Sequence, residues 1–392
     1  MSSLSQTTLA DVLRAGFKQY LEKNNAIPLE HYKVANAIMK CQTAALGGRF
    51  YKCDECGHSV VFYNSCRNRH CPQCQAMSRA KWVEKRNREL LPVSYYHIVF
   101  TVPEQLKPFA LRNKSIFYNI LFKAVSETLI QLGANPSFLG GTIGIIAVLH
   151  TWNQILMDHP HIHCVVPAGA ISDDGVEWIP ARKGYLFPVD IIKKVYRGKF
   201  MDFFKEAISN GTMQFHGKLQ EFISRKNIII DTLYKTEWVV YLKESFASPA
   251  AVIKYLGAYT NRIAISNNRI KDIKDDKVRF SYQDRRNGNE ERELTLPVEQ
   301  FIRRFFLHIL PCGFVRIRYF GFMANRNRSE NITQCRVAIS TKKTHTEKIK
   351  NGVPEMELIT TPTFICPECK NGKLIFLGDI PKRAGPVLIK AA

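Results

Sequence analysis

A chain of 392 residues with 56 Lys and Arg against 34 Asp and Glu carries a net charge of +22. That length supplies two or three domains, and a hydrophobic content of 45% is enough to give them cores. The charge excess calls for a polyanion. Nucleic acid ranks ahead of a membrane surface, because no apolar stretch approaches the ~20 residues that span a bilayer and no amphipathic anchor is present. Met1-Ser2-Ser3-Leu4-Ser5 lacks the basic-then-apolar order of a secretory signal, so the expected compartment is the cytoplasm. Eleven clustered cysteines, an odd number, point to metal sites in a reducing compartment and away from a secreted disulfide framework.

Residues 1–45 read as helical, with Leu13, Phe17, Tyr20 and Leu21 forming one apolar stripe. From 46 to 75 the chain turns to Gly, Cys, Asn and Arg without apolar periodicity, so something other than a core must hold it. "SRAKWVEKRNREL" (78–90) reads as a basic helix stopped by Pro92. Strands are predicted over 95–102, 144–152 and 161–169, with a helix over 113–133 between the first two. The eight-residue gap between the second and third strands, holding Asn153 and Asp158-His159-Pro160, fits a hairpin with a longish loop. Residues 189–226 read as lysine-rich helix and 236–246 as strand. Ser248 as N-cap and Pro249 at the first helical position open a helix over 248–266. Alternating β patterns follow residue 270, then a basic segment over 303–328, a solvated linker over 341–352 and a tail with "CPEC" (366–369).

The most specific local signal is Cys53-x-x-Cys56 followed, 14 residues on, by Cys71-Pro-Gln-Cys74. Two such knuckles match a tetrahedral four-cysteine zinc ribbon, each offering two thiolates from one tight turn while the metal replaces the missing core. Cys41, His58, Cys66 and His70 form a second candidate zinc set, with Cys66 and His70 at zinc-finger spacing. Arg67 and Arg69 lie among these ligands, where they could touch phosphates. Cys366-x-x-Cys369 is half a site; Cys312 and Cys335 are its candidate partners, or it is a degenerate knuckle.

"HPHIHC" (159–164) places His161 and His163 on one face of a strand, with Ile162 on the other. A lone histidine in a strand is ordinarily a core or hydrogen-bonded residue; two side by side suit a metal better than they suit each other. His150, near the end of the preceding strand, would join them across the hairpin. Three imidazoles can hold one divalent cation and leave positions open for a substrate oxygen. An all-nitrogen set leans toward Mn²⁺ or another transition ion over Mg²⁺. Tyr255 and Tyr259, four apart in the 248–266 helix, share one helical face. Taken alone that pair reads as amphipathic core. Arg303, Arg304, Arg316, Arg318, Arg326 and Arg328 are expected to contribute to a DNA-binding surface, with Arg316 and Arg318 alternating on one strand face.

A histidine–apolar–histidine strand, a downstream tyrosine helix and a basic chain resemble the HUH endonuclease superfamily. Five stretches carry a closer likeness: "YNSCRNRHCPQCQ" (63–75), "HIVFTVPEQL" (97–106), "LHTWNQILMDHPHIHCVVPAGA" (149–170), "YLGAYTNRIAISNNRI" (255–270) and "FVRIRYFGFMANR" (314–326). They resemble the two-tyrosine rolling-circle transposases of the insertion-sequence ninety-one type. The likeness runs over about residues 35–335, with little to match in 171–235.

The resemblance implies an α+β fold: a central antiparallel sheet of HUH type with flanking helices, an N-terminal zinc-ribbon-like module and a basic C-terminal region. The corresponding domains are an N-terminal helical segment (1–45), a zinc-binding domain (46–90), a nuclease domain (91–270) and a DNA-binding region with a degenerate knuckle (271–392). It also implies the chemistry. His161 and His163, with His150, hold Mg²⁺ or Mn²⁺ against a scissile phosphate of single-stranded DNA, and Tyr255 or Tyr259 attacks to leave a 5′-phosphotyrosine. A structural Zn²⁺ serves the cysteines. The partners are the element ends and the target DNA, with no membrane, in the bacterial cytoplasm at the nucleoid. A plasmid replication initiator or relaxase would share this chemistry. A non-catalytic zinc protein that binds nucleic acid would leave the histidines and tyrosines unexplained, and a βα-barrel hydrolase would leave the charge unexplained.

Overall fold

The computed structural model describes residues 6–246, 264–284, 287–343 and 364–382. Tyr255 and Tyr259, and nearly all of the helix expected over 248–266, lie outside the described residues. The described helices are α1 (Leu9–Lys23), α2 (Leu29–Lys40), α3 (Pro72–Asn87), α4 (Lys107–Arg112), α5 (Lys114–Ala134), α6 (Val189–Ser209), α7 (Gln220–Ser224), α8 (Lys226–Lys235), α9 (Val298–Leu307) and α10 (Arg328–Lys343). The described strands are β1 (Gly48–Cys53), β2 (Ser59–Tyr63), β3 (Tyr95–Thr101), β4 (Gly144–Trp152), β5 (Asp158–Pro167), β6 (Gly169–Ile171), β7 (Trp178–Pro180), β8 (Val240–Phe246), β9 (Ile270–Lys274), β10 (Lys277–Asp284), β11 (Glu290–Pro297), β12 (Ile317–Gly321) and β13 (Leu374–Ile380). Among these residues no helix is long and apolar enough to cross a membrane.

Two compact units result, each assembled from separated stretches of chain. The first combines residues 1–77, 265–303 and 348–392. Its α1 opens on a capping box, in which Thr8 Oγ1 accepts from Asp11 N–H and Asp11 Oδ2 accepts from Thr8 N–H. Such a box satisfies two otherwise unpaired donors at the helix start. Leu13, Phe17 and Tyr20 are buried along the stripe seen in the sequence. A Cβ at Gly16 would stand 2.1 Å from Val298 Cγ1, so the absent side chain lets α1 meet the start of α9. Strands β11, β10 and β9 form one antiparallel sheet in that order. A second sheet has the order β13-β1-β2, so a strand from the tail pairs with the N-terminal cysteine segment.

The second unit, residues 78–264 and 304–347, is built on a five-stranded antiparallel sheet of order β12-β4-β5-β3-β8. Alternation divides its side chains between two faces. Ile98, Phe100, Ile145, Leu149, Ile162 and Val166 bury against α5 and α6, where Phe117, Leu121 and Phe200 are fully enclosed. Each such side chain contributes roughly 1.5–3 kcal/mol by leaving water. On the other face Tyr95, Ile146 and Val165 pack with Ile332, Cys335 and Ile339 of α10. Further along the same face, in register with these residues, stand His150, His161 and His163. Helices α5 and α6 thus pack on one face and α10 on the other, and the histidines stand on the α10 face.

The last third of the chain differs from the expectation of a separate basic region. The apolar positions of "IRYFG" (317–321) pair with β4 and make β12 the edge of the central sheet. Residues 374–380 join β1. Charge alone does not reveal this, because the arginines in the segment alternate with residues that fit a sheet.

Candidate functional site

The β4–β5 hairpin fixes the histidines. His150 lies directly opposite His161 in the antiparallel register, and His163 opposite Val148. All three imidazoles are buried. One nitrogen from each lies within 4.8 Å of the other two, and the ring centroids are 4.5–5.4 Å apart. The turn between the strands is tight. Asn153 Oδ1 accepts from Ile155 N–H (3.1 Å) and Met157 N–H (2.8 Å). Leu156, with φ of 62° and its side chain fully buried, sits in the left-handed region, which costs about 1–3 kcal/mol unless its surroundings hold it. They do: Arg304 donates to Ile155 O (2.9 Å), and His308 Nε2 lies 3.1 Å from Leu156 O. His308 Nδ1 reaches Thr151 Oγ1 at 3.2 Å, tying the turn to β4. Burial lowers the His308 pKa to about 4, so this anchor is a neutral imidazole.

The outer nitrogens are held as well. His161 Nδ1 donates to His159 O at 2.6 Å, which leaves Nε2 with the lone pair. His163 Nδ1 lies 2.9 Å from His97 Nε2, and the two rings stack with an interplanar angle of 6°. Trp152 stacks on His150 at 4.7 Å. Buried donors facing one point, with their far sides fixed by a carbonyl and a second imidazole, fit a divalent transition ion. Among the described residues no carboxylate joins them. Burial raises the Asp158 carboxyl, at the start of β5, to about 7 beside Lys114. His97 escaped the sequence reading although it carries the same signal, a histidine at an alternating position in the apolar strand "YYHIVFT".

The cysteines group differently from the spacing-based expectation. Cys53 and Cys56 do not converge with Cys71 and Cys74. One cluster comprises Cys41, Cys66, Cys71 and Cys74; the other comprises Cys53, Cys56, Cys366 and Cys369. The reason is topological. The 71–74 knuckle opens α3, and the loop after α2 brings Cys41 to it. The 53–56 knuckle ends β1, whose other neighbour is the tail strand β13. In the first cluster Cys74 Sγ lies 3.6 Å from Cys41 Sγ and 3.5 Å from Cys66 Sγ. Tetrahedral Zn–S bonds of ~2.3 Å separate sulfurs by about 3.8 Å, so the set fits zinc. Hydrogen bonding from the Cys71 thiol draws Cys66 down to about 5, while burial pushes Cys41 up to about 12. His58 and His70, expected with Cys41 and Cys66, belong to neither cluster. Cys335 is buried on the inner side of α10 and Cys312 is exposed; neither groups with Cys366 or Cys369.

The arginines also divide. Arg67, Arg303 and Arg326 are exposed, and Arg69 and Arg316 are half-buried. Arg304 is spent on the hairpin turn. Arg318 points to the α5 face, its guanidinium 4.2 Å from the Phe122 ring and bonded to Asn119. Arg328 lies 3.8 Å over Tyr319, bonds Met323 O and faces Glu89. These three guanidinium groups make intramolecular contacts that hold the fold.

Residues 144–331, including the histidine hairpin, match a family model described as "Putative transposase". Residues 12–102, including Cys41, Cys53, Cys56, Cys66, Cys71 and Cys74, match one described as "Transposase zinc-binding domain". The chain is 41% identical over 384 residues to "Putative transposase y4qJ" of Sinorhizobium fredii (strain NBRC 101917 / NGR234), covering 96% of each. It is 29% identical over 295 residues to "Transposase for insertion sequence element IS801" of Pseudomonas savastanoi pv. phaseolicola, covering 74% of this chain and 69% of that one. No solved structure matches it. The chain belongs to the insertion-sequence transposases of the insertion-sequence ninety-one type, with a zinc-binding module at its N-terminal end.

Proposed function

We propose that this transposase nicks and rejoins single-stranded DNA through a 5′-phosphotyrosine, in transposition by a rolling-circle route. The observation that carries the proposal is the convergence of His150, His161 and His163 at one end of a sheet face, with one nitrogen from each within 4.8 Å of the others. A divalent ion, Mg²⁺ or Mn²⁺, held by these imidazoles would withdraw charge from the scissile phosphate. His159 O and His97 hold the outer nitrogens of His161 and His163, so the inner ones stay aimed at the ion's position.

The phenol oxygen of Tyr255 or Tyr259 attacks phosphorus in line. The P–O bond to the 3′ side breaks, the tyrosine ester forms, and the phenolic proton ends on the departing 3′-oxygen. One phosphodiester becomes another, so rejoining needs no nucleotide triphosphate. A second tyrosine four residues along the chain would allow a second strand to be cut while the first stays attached. The net charge of +22 supplies the sequence-independent part of DNA binding, at the element ends and the target, in the cytoplasm at the nucleoid.

The test uses labelled single-stranded oligonucleotides from the flanks of the gene, incubated with the protein and Mn²⁺. A protein–DNA adduct that survives denaturation is expected. The Tyr255→Phe/Tyr259→Phe double variant should lose the adduct and keep DNA binding. An adduct that persists in the double variant places the nucleophile elsewhere.

A further inference from the structure

The first unit contains a second group of four sulfurs, and half of it lies far beyond the zinc-binding segment matched by the family model. We propose that Cys53, Cys56, Cys366 and Cys369 hold a second zinc ion, so that the tail of the chain completes the N-terminal zinc module. Cys53 Sγ lies 3.7 Å from Cys369 Sγ, and Cys56 Sγ 3.7 Å from Cys366 Sγ. All four fall within 4.8 Å of one another. The spacing is too long for a disulfide of ~2.05 Å and close to the ~3.8 Å that tetrahedral zinc imposes.

The two knuckles share one construction. In "CDECG" and "CPECK" the residue after the second cysteine is left-handed, with φ of 71° at Gly57 and 60° at Lys370. Each offers a backbone donor to a sulfur: Cys56 N–H to Cys53 Sγ at 3.5 Å, and Gly372 N–H to Cys369 Sγ at 3.3 Å. The knuckles are also locked together. Asp54 Oδ1 accepts from Lys373 N–H at 2.8 Å, and Lys373 O accepts from Asp54 N–H at 3.1 Å. A Cβ at Gly372 would stand 2.4 Å from Cys53 Sγ and 2.9 Å from Asp54 Oδ1, so the backbone closes over the sulfurs only because that position is glycine.

Packing gives the metal a reason. The buried apolar cluster here comprises Tyr51, Cys53, Cys366 and Leu374, with Val60 and Cys369 against it. That is too small to hold three strands, the circumstance in which a structural zinc substitutes for a core. Four thiolates in a closed tetrahedral set select zinc over oxygen-seeking ions. Cys56 and Cys366 are 310 residues apart, so one ion would fasten the two ends of the first unit around everything the chain inserts between them.

The test is metal content of the full-length protein by mass spectrometry. Two zinc ions per chain are expected, falling to one in Cys366→Ser/Cys369→Ser and to one in Cys41→Ser/Cys66→Ser. Native alkylation of the wild type gives a readout independent of how the variants fold. Cys366 and Cys369 should label at least ~10-fold more slowly than the exposed Cys312, and reach its rate once a chelator has stripped the zinc. One zinc in the wild type, iron in its place, both zincs retained by the Cys366→Ser/Cys369→Ser variant, or labelling of the pair at the Cys312 rate in zinc-loaded protein would each overturn the proposal.

Discussion

Replacing His97 by Phe keeps an aromatic ring stacked on His163 and removes the nitrogen 2.9 Å from His163 Nδ1. Both rings are buried, so water does not readily take the vacated place. His163 then loses the partner that sets which of its nitrogens faces the other two imidazoles. Outer-shell partners of metal-bound histidines are typically worth 10–100-fold in affinity, or about 1.4–2.8 kcal/mol. Calorimetric titration of the chain with Mn²⁺ should therefore show His97→Phe binding roughly 10–100-fold more weakly than the wild type. His97→Gln, whose side-chain amide can reach the position of His97 Nε2, should recover part of the loss. Affinity is the deciding readout, because loss of a buried hydrogen bond lowers Tm whether or not metal binds. His97→Phe binding Mn²⁺ as tightly as the wild type would refute a positioning role for His97.

His308 gives a pH prediction. Its folded pKa of about 4 lies below the ordinary 6.5, so the unfolded chain binds the extra proton. This contribution to stability is intact above pH 6.5 and is lost as pH falls toward 4. Between pH 7 and 5 it amounts to about 2 kcal/mol, and urea unfolding at those two values should show His308→Gln losing less stability on acidification than the wild type does. A second prediction separates clamps from DNA contacts. Arg328→Ala should destabilise the fold by ~1–2 kcal/mol through loss of its Tyr319 stacking and its Glu89 pairing, with little change in the salt dependence of DNA binding. Arg326→Ala, at an exposed position, should leave Tm unchanged and lower the logarithmic salt slope by about 1. Equal effects of the two replacements on both measurements would show that the assignment of roles is wrong.

The histidine hairpin is legible in the sequence because two strong constraints coincide. Strand alternation puts 161 and 163 on one face whatever the rest of the chain does, and a short connection makes an antiparallel neighbour of the preceding strand, bringing His150 opposite His161. What holds the hairpin is not legible. Arg304 and His308 act across about 150 residues on backbone carbonyls, and no local pattern announces a partner at that range. The same holds for Arg318 and Arg328. A basic segment reads as a DNA surface until the aromatic rings beneath its guanidinium groups are known. The tyrosine pair belongs to the sequence argument alone, since both residues fall outside the described residues.

The cysteines show where spacing stops being informative. A Cys-x-x-Cys knuckle fixes two sulfurs through one turn, and nothing in it names the other two. Proximity in sequence favoured joining the 53–56 knuckle to the 71–74 knuckle. Strand pairing decides otherwise, because β1 has two edges, and β2 on one side leaves the other to β13. Cys53 opposes Leu374 in that register, which carries the 366–369 knuckle to the end of β1 and leaves the 71–74 knuckle, at the head of α3, to Cys41 and Cys66. Loop closure over some 300 residues costs only about 2 kcal/mol more than over 30, since the entropy grows with the logarithm of length. A ladder of backbone hydrogen bonds can therefore overrule nearness in the chain. Unmatched knuckles at the two ends of a sequence are better read as candidates for each other than as one site and one relic.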